Sequence, residues 1–118
     1  MVGDNSLDSL ASRLRQFAAE RDWDQFHSPK NLAAAMSVEA AEVLEHFQWL
    51  TAKQSADLSQ EDKSHVALEL ADVLLYLIRL ADKLDIDLTE AAGRKLEINA
   101  AKYPVDRSKG SAVKYTEL

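Results

Sequence analysis

The chain has 118 residues, of which 47% are hydrophobic, so it is long enough to bury one core and too short for two. A formal net charge of -6 argues against an open nucleic-acid surface, and the absence of cysteine excludes disulfides and thiolate zinc sites. No leading cationic-then-apolar segment predicts secretion, and the longest apolar stretch falls short of the roughly 20 residues that a membrane span requires. We therefore expect one cytoplasmic domain over residues 1–118, with no nucleic-acid or membrane partner.

Apolar residues recur at helical spacing, and three glycines and two prolines leave few turns, which predicts an all-α chain of four helices. The first helix starts after Asn5 or Ser6 and runs to about Arg21. The second begins at Ser28-Pro29, where an N-cap is followed by proline at the first helical position. Its apolar face continues through Phe47.

The third and fourth helices also begin at recognisable caps. Ser59, followed by three polar or acidic residues, predicts the start of the longest helix, which reaches about Lys83. Asp87-x-x-Glu90 resembles a capping box and starts a fourth helix that ends near Lys102. We expect residues 105–118 to form an irregular tail.

Two pairs of carboxylates, Glu39-x-x-Glu42 and Glu69-x-x-Asp72, lie on the second and third of these helices. Three-residue spacing places both members of a pair on one face of a helix. The second pair lies within the apolar run Val66–Leu84, where an unpaired ionised carboxylate would cost several kcal/mol. If the two faces meet, four negative charges share one cleft, and cations are needed between them. Oxygen ligands without cysteine favour Mg²⁺ or Mn²⁺ over zinc.

Two other interpretations of the acidic pairs were weighed. Glutamates at this spacing are common on solvated helix faces, so the first pair taken alone indicates nothing beyond a polar surface. A di-iron carboxylate bundle also gathers acids between helices, but it requires Glu-x-x-His on two of them, and neither pair here supplies that histidine. The di-iron alternative is therefore disfavoured.

The paired acids on successive helices resemble those of the MazG-type nucleotide pyrophosphohydrolases, an all-α superfamily. Further segments are similar to its dCTP pyrophosphatase subfamily: Phe17–Trp23, Gln25–Leu32, Phe47–Trp49, Glu69–Tyr76 and Lys114–Leu118. The resemblance covers nearly the whole chain from about Leu7. It implies a four-helix MazG-like bundle that oligomerisation completes.

The same resemblance implies an activity. Enzymes of this kind hydrolyse a deoxynucleoside triphosphate between the α and β phosphates and release the monophosphate and pyrophosphate. We expect Glu39, Glu42, Glu69 and Asp72 to be both the Mg²⁺ ligands and the catalytic residues, with a carboxylate of the first pair orienting the attacking water. The expected substrate is dCTP or a modified dCTP, and the expected role is sanitation of the nucleotide pool.

Substrate contacts also carry over from the resemblance. Trp23 and Trp49 are expected to form aromatic walls for the base, and Tyr76, one turn after Asp72, is expected to pack on the deoxyribose. The expected phosphate and substrate contacts on the fourth helix are Lys95, Asn99, Lys102 and Tyr103. Where animal enzymes of the subfamily carry a histidine on the first helix, this chain has Leu14. That departure leaves action on other dNTPs open.

The apolar surface of the third helix exceeds what one partner layer can cover, so we expect a homo-oligomer. The resemblance implies a dimer of dimers, that is, a homotetramer. A non-enzymatic alternative remains, in which the chain is a helical oligomerisation or adaptor module and its acidic stripes are merely solvated or pair with a basic partner.

Overall fold

A computed structural model describes residues 4–118, which form helices and no strand. We number the α-helices α1 (Leu7–Glu20), α2 (Pro29–Glu45), α3 (Ala52–Ser55), α4 (Gln60–Lys83), α5 (Leu88–Lys102) and α6 (Val105–Ser108). Two 3₁₀ turns are added at Asp24–Phe26 and Tyr115–Glu117. The predicted all-α class is confirmed. Within residues 4–118, no helix is both long enough and apolar enough to cross a bilayer.

The long helices begin where local sequence signals place them. The Ser28 hydroxyl accepts a hydrogen bond from the Asn31 N–H at 3.1 Å, with Pro29 in the first turn of α2. Ser59 accepts from the Asp62 N–H at 3.1 Å at the start of α4. These bonds satisfy N–H groups that have no partner within the helix, which is why serine at such a position predicts a helix start.

Three details differ from the sequence prediction. Helix α2 ends at Glu45, and a complete capping box between Thr51 and Gln54 starts the unpredicted α3. At the start of α5, Asp87 accepts from the Glu90 N–H, while the Glu90 carboxylate binds Arg94, so the predicted capping box is only half formed. The segment expected to be irregular, 105–118, contains α6 and the second 3₁₀ turn.

The chain divides into two compact units, the first ending at Asp85 and the second running from Ile86 to Leu118. In the first unit α4 is central, packing most extensively on α2 and also on α1. The buried apolar side chains are Ala18, Leu32, Val66, Ile78 and Ala81. Because α2 and α4 each carry one acidic pair, their packing brings the two pairs to the same interface.

Candidate functional site

The acidic pairs meet at the interface of α2 and α4. One carboxylate oxygen from each of Glu39, Glu69 and Asp72 lies within 4.8 Å of the others. Glu42 adjoins the same group, since its side chain perturbs both Glu39 and Glu69. We call these four residues the acidic cluster. The structure therefore brings together all four carboxylates that the spacing had placed on facing helices.

The crowded negative charge raises the pKa of two residues of the acidic cluster, Glu39 and Glu69. The pKa of Glu39 is raised to about 7, first by the adjoining carboxyl group of Glu42, then by burial and by the charges of the neighbouring carboxylates. The pKa of Glu69 is also raised, again chiefly by Glu42. Like charges at this distance disfavour simultaneous ionisation. The chain alone does not neutralise the acidic cluster.

The donor set of the cluster fits a hard divalent cation. Oε2 of Glu39 and Oε2 of Glu69 are buried and have no hydrogen-bond partner within residues 4–118. Buried carboxylate oxygens without a partner are costly, and a cation would satisfy them. The nearest cationic candidate, His46, has its Nε2 4.0 Å from Glu69 Oε1, beyond hydrogen-bond distance. Carboxylate oxygens are the ligands that Mg²⁺ and Mn²⁺ prefer.

The raised pKa values predict how stability depends on pH when no divalent cation is bound. The folded state holds the Glu39 proton up to about pH 7, whereas a glutamate in the unfolded chain releases it near 4.5. The folded state thus binds more protons in this range, so stability falls as pH rises through 7. We expect the Tm measured in EDTA to fall between about pH 6.5 and 7.5 and to level off at higher pH.

This range lies above the one in which His27 affects stability, because the pKa of His27 is lowered from its ordinary 6.5 by burial and by the charge of Arg79. Glu39→Gln should flatten the pH dependence, and Mg²⁺ should raise the Tm of the unaltered chain more at the higher pH. A Tm in EDTA that rises across this range would show that the cluster is not under electrostatic strain.

A cavity of about 300 Å³ adjoins the acidic cluster, with Asp72 in its wall. The rest of the lining is mostly apolar or aromatic: Leu14, Phe17, Trp23, His27, Leu75, Tyr76 and Arg79. The Trp23 ring makes edge contacts with Phe17 at 5.8 Å and with His27 at 6.3 Å between centroids. An apolar pocket with a few polar groups is typical of small-molecule sites. Trp23, Tyr76 and Leu14, singled out from the sequence, therefore line one cavity beside the carboxylates.

The sequence analysis did not assign Arg79 and its partners, which form the polar part of the cavity wall, to the site. Arg79 is only 5% exposed, and its Nη2 donates to Asp24 Oδ1 at 2.7 Å while its Nε donates to His27 Nδ1 at 3.2 Å. Lys83 Nζ also donates to Asp24 Oδ1, at 2.6 Å, and this contact is the largest cause of the lowered Asp24 pKa. The signal in the sequence was an arginine inside the apolar run of α4, three residues after Tyr76.

The remaining predicted substrate residues lie elsewhere. Trp49, in the turns after α2, is 87% exposed and is not among the residues that line the cavity. Lys95, Asn99 and Lys102 share one face of α5 in the second unit. Tyr103 follows them and packs edge-on against Tyr115, whose ring also lies 4.7 Å from Lys102 Nζ. These contacts fix the last residues of the chain to the end of α5.

Both a family sequence profile and individual curated proteins match this chain. A sequence profile of the MazG-like family matches residues 34–118. The chain is 43% identical over 115 residues to dCTP pyrophosphatase 1 of Rattus norvegicus, covering 96% of this chain and 68% of that protein. The Homo sapiens protein of the same name is 41% identical over 115 residues, which are again 96% of this chain and 68% of that protein.

One further relative matches over a shorter segment, and one solved structure has a similar fold. The dATP/dGTP diphosphohydrolase of Cyanophage S-2L is 42% identical over 50 residues, which are 42% of this chain and 48% of that one. The crystal structure of a pyrophosphatase from Archaeoglobus fulgidus superimposes with a TM-score of 0.80 at 40% identity, covering 88% of this chain and 97% of the other.

Proposed function

The chain belongs to the MazG-like family, and on that premise we propose that it hydrolyses deoxynucleoside triphosphates, with dCTP or a modified dCTP preferred, to the monophosphate and pyrophosphate. The activity class, a nucleoside triphosphate pyrophosphohydrolase, follows from the dCTP pyrophosphatase relatives and the pyrophosphatase structure. The observation that carries the reaction is the acidic cluster with its two buried, unpartnered carboxylate oxygens.

The residues of the cluster have separate tasks in this proposal. Glu39, Glu42, Glu69 and Asp72 would hold Mg²⁺, with Mn²⁺ as an alternative. When bound, the cation neutralises charge on the phosphates and the pyrophosphate leaving group and makes water a better nucleophile. One carboxylate of the first pair, Glu39 or Glu42, would orient the attacking water or accept its proton. Asp72 lies in both the cluster and the cavity wall, so it aligns the α phosphate of a nucleotide whose base occupies the cavity.

The remaining contacts complete the substrate site. Trp23 would stack on the base, and Tyr76 would pack on the deoxyribose, where a 2′-hydroxyl would crowd it. Trp49 is proposed as a second aromatic wall. Lys95, Asn99, Lys102 and Tyr103 are proposed as contacts to phosphate and substrate, since lysine and amide side chains donate hydrogen bonds to phosphate oxygens.

The proposed function is tested by incubating the protein with each dNTP and with CTP in Mg²⁺ and separating the products by anion exchange. The expected products are monophosphate and pyrophosphate, with dCTP the best substrate and CTP poor. Glu45→Gln is a matched control, because Glu45 is an exposed acid on the same helix as Glu39. Release of orthophosphate, or a rate that survives loss of the cluster carboxylates, would contradict the proposal.

We also propose a homotetramer, arranged as a dimer of dimers. Large apolar side chains are exposed on both helices that carry the cluster, including Leu44 at 63% on α2 and Leu68 at 68% on α4. Exposed apolar surface of this extent indicates a protein interface. Light scattering should give four times the 13.1 kDa mass of the chain, and Leu44→Glu should lower it. A monomer at all concentrations would refute the assembly.

A role in sanitation of the cytoplasmic nucleotide pool completes the proposal. Hydrolysis to a monophosphate removes a triphosphate from the substrates of polymerases. Deletion of the encoding gene should therefore raise the cellular level of the preferred dNTP, measured by mass spectrometry, and an unchanged dNTP pool would argue against this role.

A further inference from the structure

The wall of the cavity contains a buried charge that the proposed reaction does not require. Arg79 comes from the C-terminal part of α4, and its two hydrogen-bond partners, Asp24 and His27, come from the segment between α1 and α2. A buried guanidinium is retained only where its donors are satisfied, because desolvating the charge is costly. The arrangement is therefore a specific one, and its location in the cavity wall suggests a part in recognition.

The contact with Arg79 determines where His27 carries its proton. A guanidinium offers only donors, so His27 Nδ1 must be the acceptor of the Arg79 Nε–H. Burial, and then the charge of Arg79, lower the pKa of His27, which keeps the ring neutral at pH 7. A neutral ring with an unprotonated Nδ1 carries its hydrogen on Nε2. Within residues 4–118, His27 Nε2 has no hydrogen-bond partner, so this donor is available to a ligand.

The nitrogen groups in the cavity wall are consequently all donors. Arg79 cannot accept a hydrogen bond, His27 has only its Nε2–H free, and the indole of Trp23 carries an N–H donor. The carboxylate of Asp72 is an acceptor but belongs to the acidic cluster. A ligand group that contacts Arg79, His27 or Trp23 through these nitrogens therefore needs acceptor atoms on the edge that it presents.

We propose that Arg79 is a positioning residue that fixes His27 as a hydrogen-bond donor, and that His27 selects cytosine by donating to its N3, the ring atom at which it differs from thymine and uracil. Thymine and uracil carry a hydrogen on N3, which would oppose the donor of His27. A site built to hydrogen-bond one edge rejects an analogue that cannot match it, because its own polar group is left unpaired. The inference rests on the proposed function, since it assumes that the cavity accepts the base of the nucleotide.

Arg79→Met tests the positioning role. The substitution retains the volume and apolar stem of Arg79, and Asp24 retains its 2.6 Å contact with Lys83, so we expect the variant to fold. Arg15→Met is the matched control, because it removes the 2.8 Å bond to Asp82, whose carboxylate also lies 3.6 Å from Arg79 Nη1, while it leaves the Arg79–His27 contact in place. Arg15 does not line the cavity. Calorimetry would measure the binding of dCMP and dTMP, which requires no hydrolysis.

Wild type and Arg15→Met should bind dCMP at least about 10-fold more tightly than dTMP. In Arg79→Met, and also in His27→Ala, this ratio should approach one. In the hydrolysis assay the loss should appear as a higher KM for dCTP with kcat little changed, because the base lies away from the reacting phosphate.

Histidine ¹⁵N NMR reports the tautomer directly and separates positioning from a structural role. Wild-type His27 should show the Nε2–H tautomer, and Arg79→Met should show a mixture. An Nδ1–H tautomer in the wild type, or a dCMP to dTMP ratio that survives Arg79→Met, would overturn the inference. If the wild type hydrolyses no triphosphate, the proposed function fails, whereas the tautomer and the binding ratio still decide this inference.

Discussion

Replacing Glu69 with glutamine should abolish hydrolysis and, in the absence of divalent cations, make the protein more stable to heat. Glutamine keeps the shape of the side chain and removes one negative charge from the acidic cluster, whose crowding raises the Glu69 pKa. It also removes a ligand for the cation that the phosphates require. We expect kcat/KM to fall at least about 100-fold, and the Tm in EDTA at about pH 8 to rise.

The opposite directions of these two effects distinguish the account from a purely structural one. A structural carboxylate would lower both activity and Tm when replaced. Mg²⁺ should raise the Tm of the wild type and have little effect on Glu69→Gln, because binding to the folded state alone stabilises it. Glu45→Gln, an exposed acid on α2, should change neither quantity. A Glu69→Gln variant with wild-type turnover would refute the role of the cluster.

Replacing Trp23 with alanine should raise the KM for dCTP by roughly 10- to 100-fold and lower kcat much less. Stacking of a base on an aromatic ring is worth about 1–3 kcal/mol by alanine substitution. Trp23 lines the cavity and is 44% exposed in the chain, so its ring is accessible to a ligand. The kinetic measurement is initial rates over a range of dCTP concentrations, at saturating Mg²⁺.

The matched control is Trp23→Phe, which retains an aromatic face and should keep KM within a few-fold of the wild type. Circular dichroism should show that both variants remain helical, because the edge contacts of Trp23 are with partly exposed rings and not with the buried core. An unchanged KM in Trp23→Ala would mean that the base binds elsewhere.

Local signals account for what could be predicted from the sequence. Ser28 and Ser59 mark helix starts because a cap requires only its own side chain and an N–H three residues later. The acidic cluster was predictable because each pair has three-residue spacing on a long helix. That the pair on α2 would meet the pair on α4 was inferred from electrostatics, since four crowded carboxylates indicate a common cation.

The features that sequence reasoning missed depend on distant partners or very short elements. Arg79 lies 52 residues from His27 and 55 from Asp24, so no periodicity connects them. Only the folded structure shows that Arg79, a polar residue in the apolar run of α4, lines a cavity. Helices α3 and α6 have four residues each, too few for an apolar pattern to be recognised.

The central claim is that the acidic cluster uses a divalent cation to cleave between the α and β phosphates. ³¹P NMR of dCTP with the wild-type protein, during a titration of Mg²⁺ from EDTA, tests it in one experiment. The account predicts no turnover in EDTA and, as Mg²⁺ is added, saturable conversion to dCMP and pyrophosphate in equal amounts. Turnover that is indifferent to Mg²⁺, or release of dCDP and orthophosphate, would contradict it.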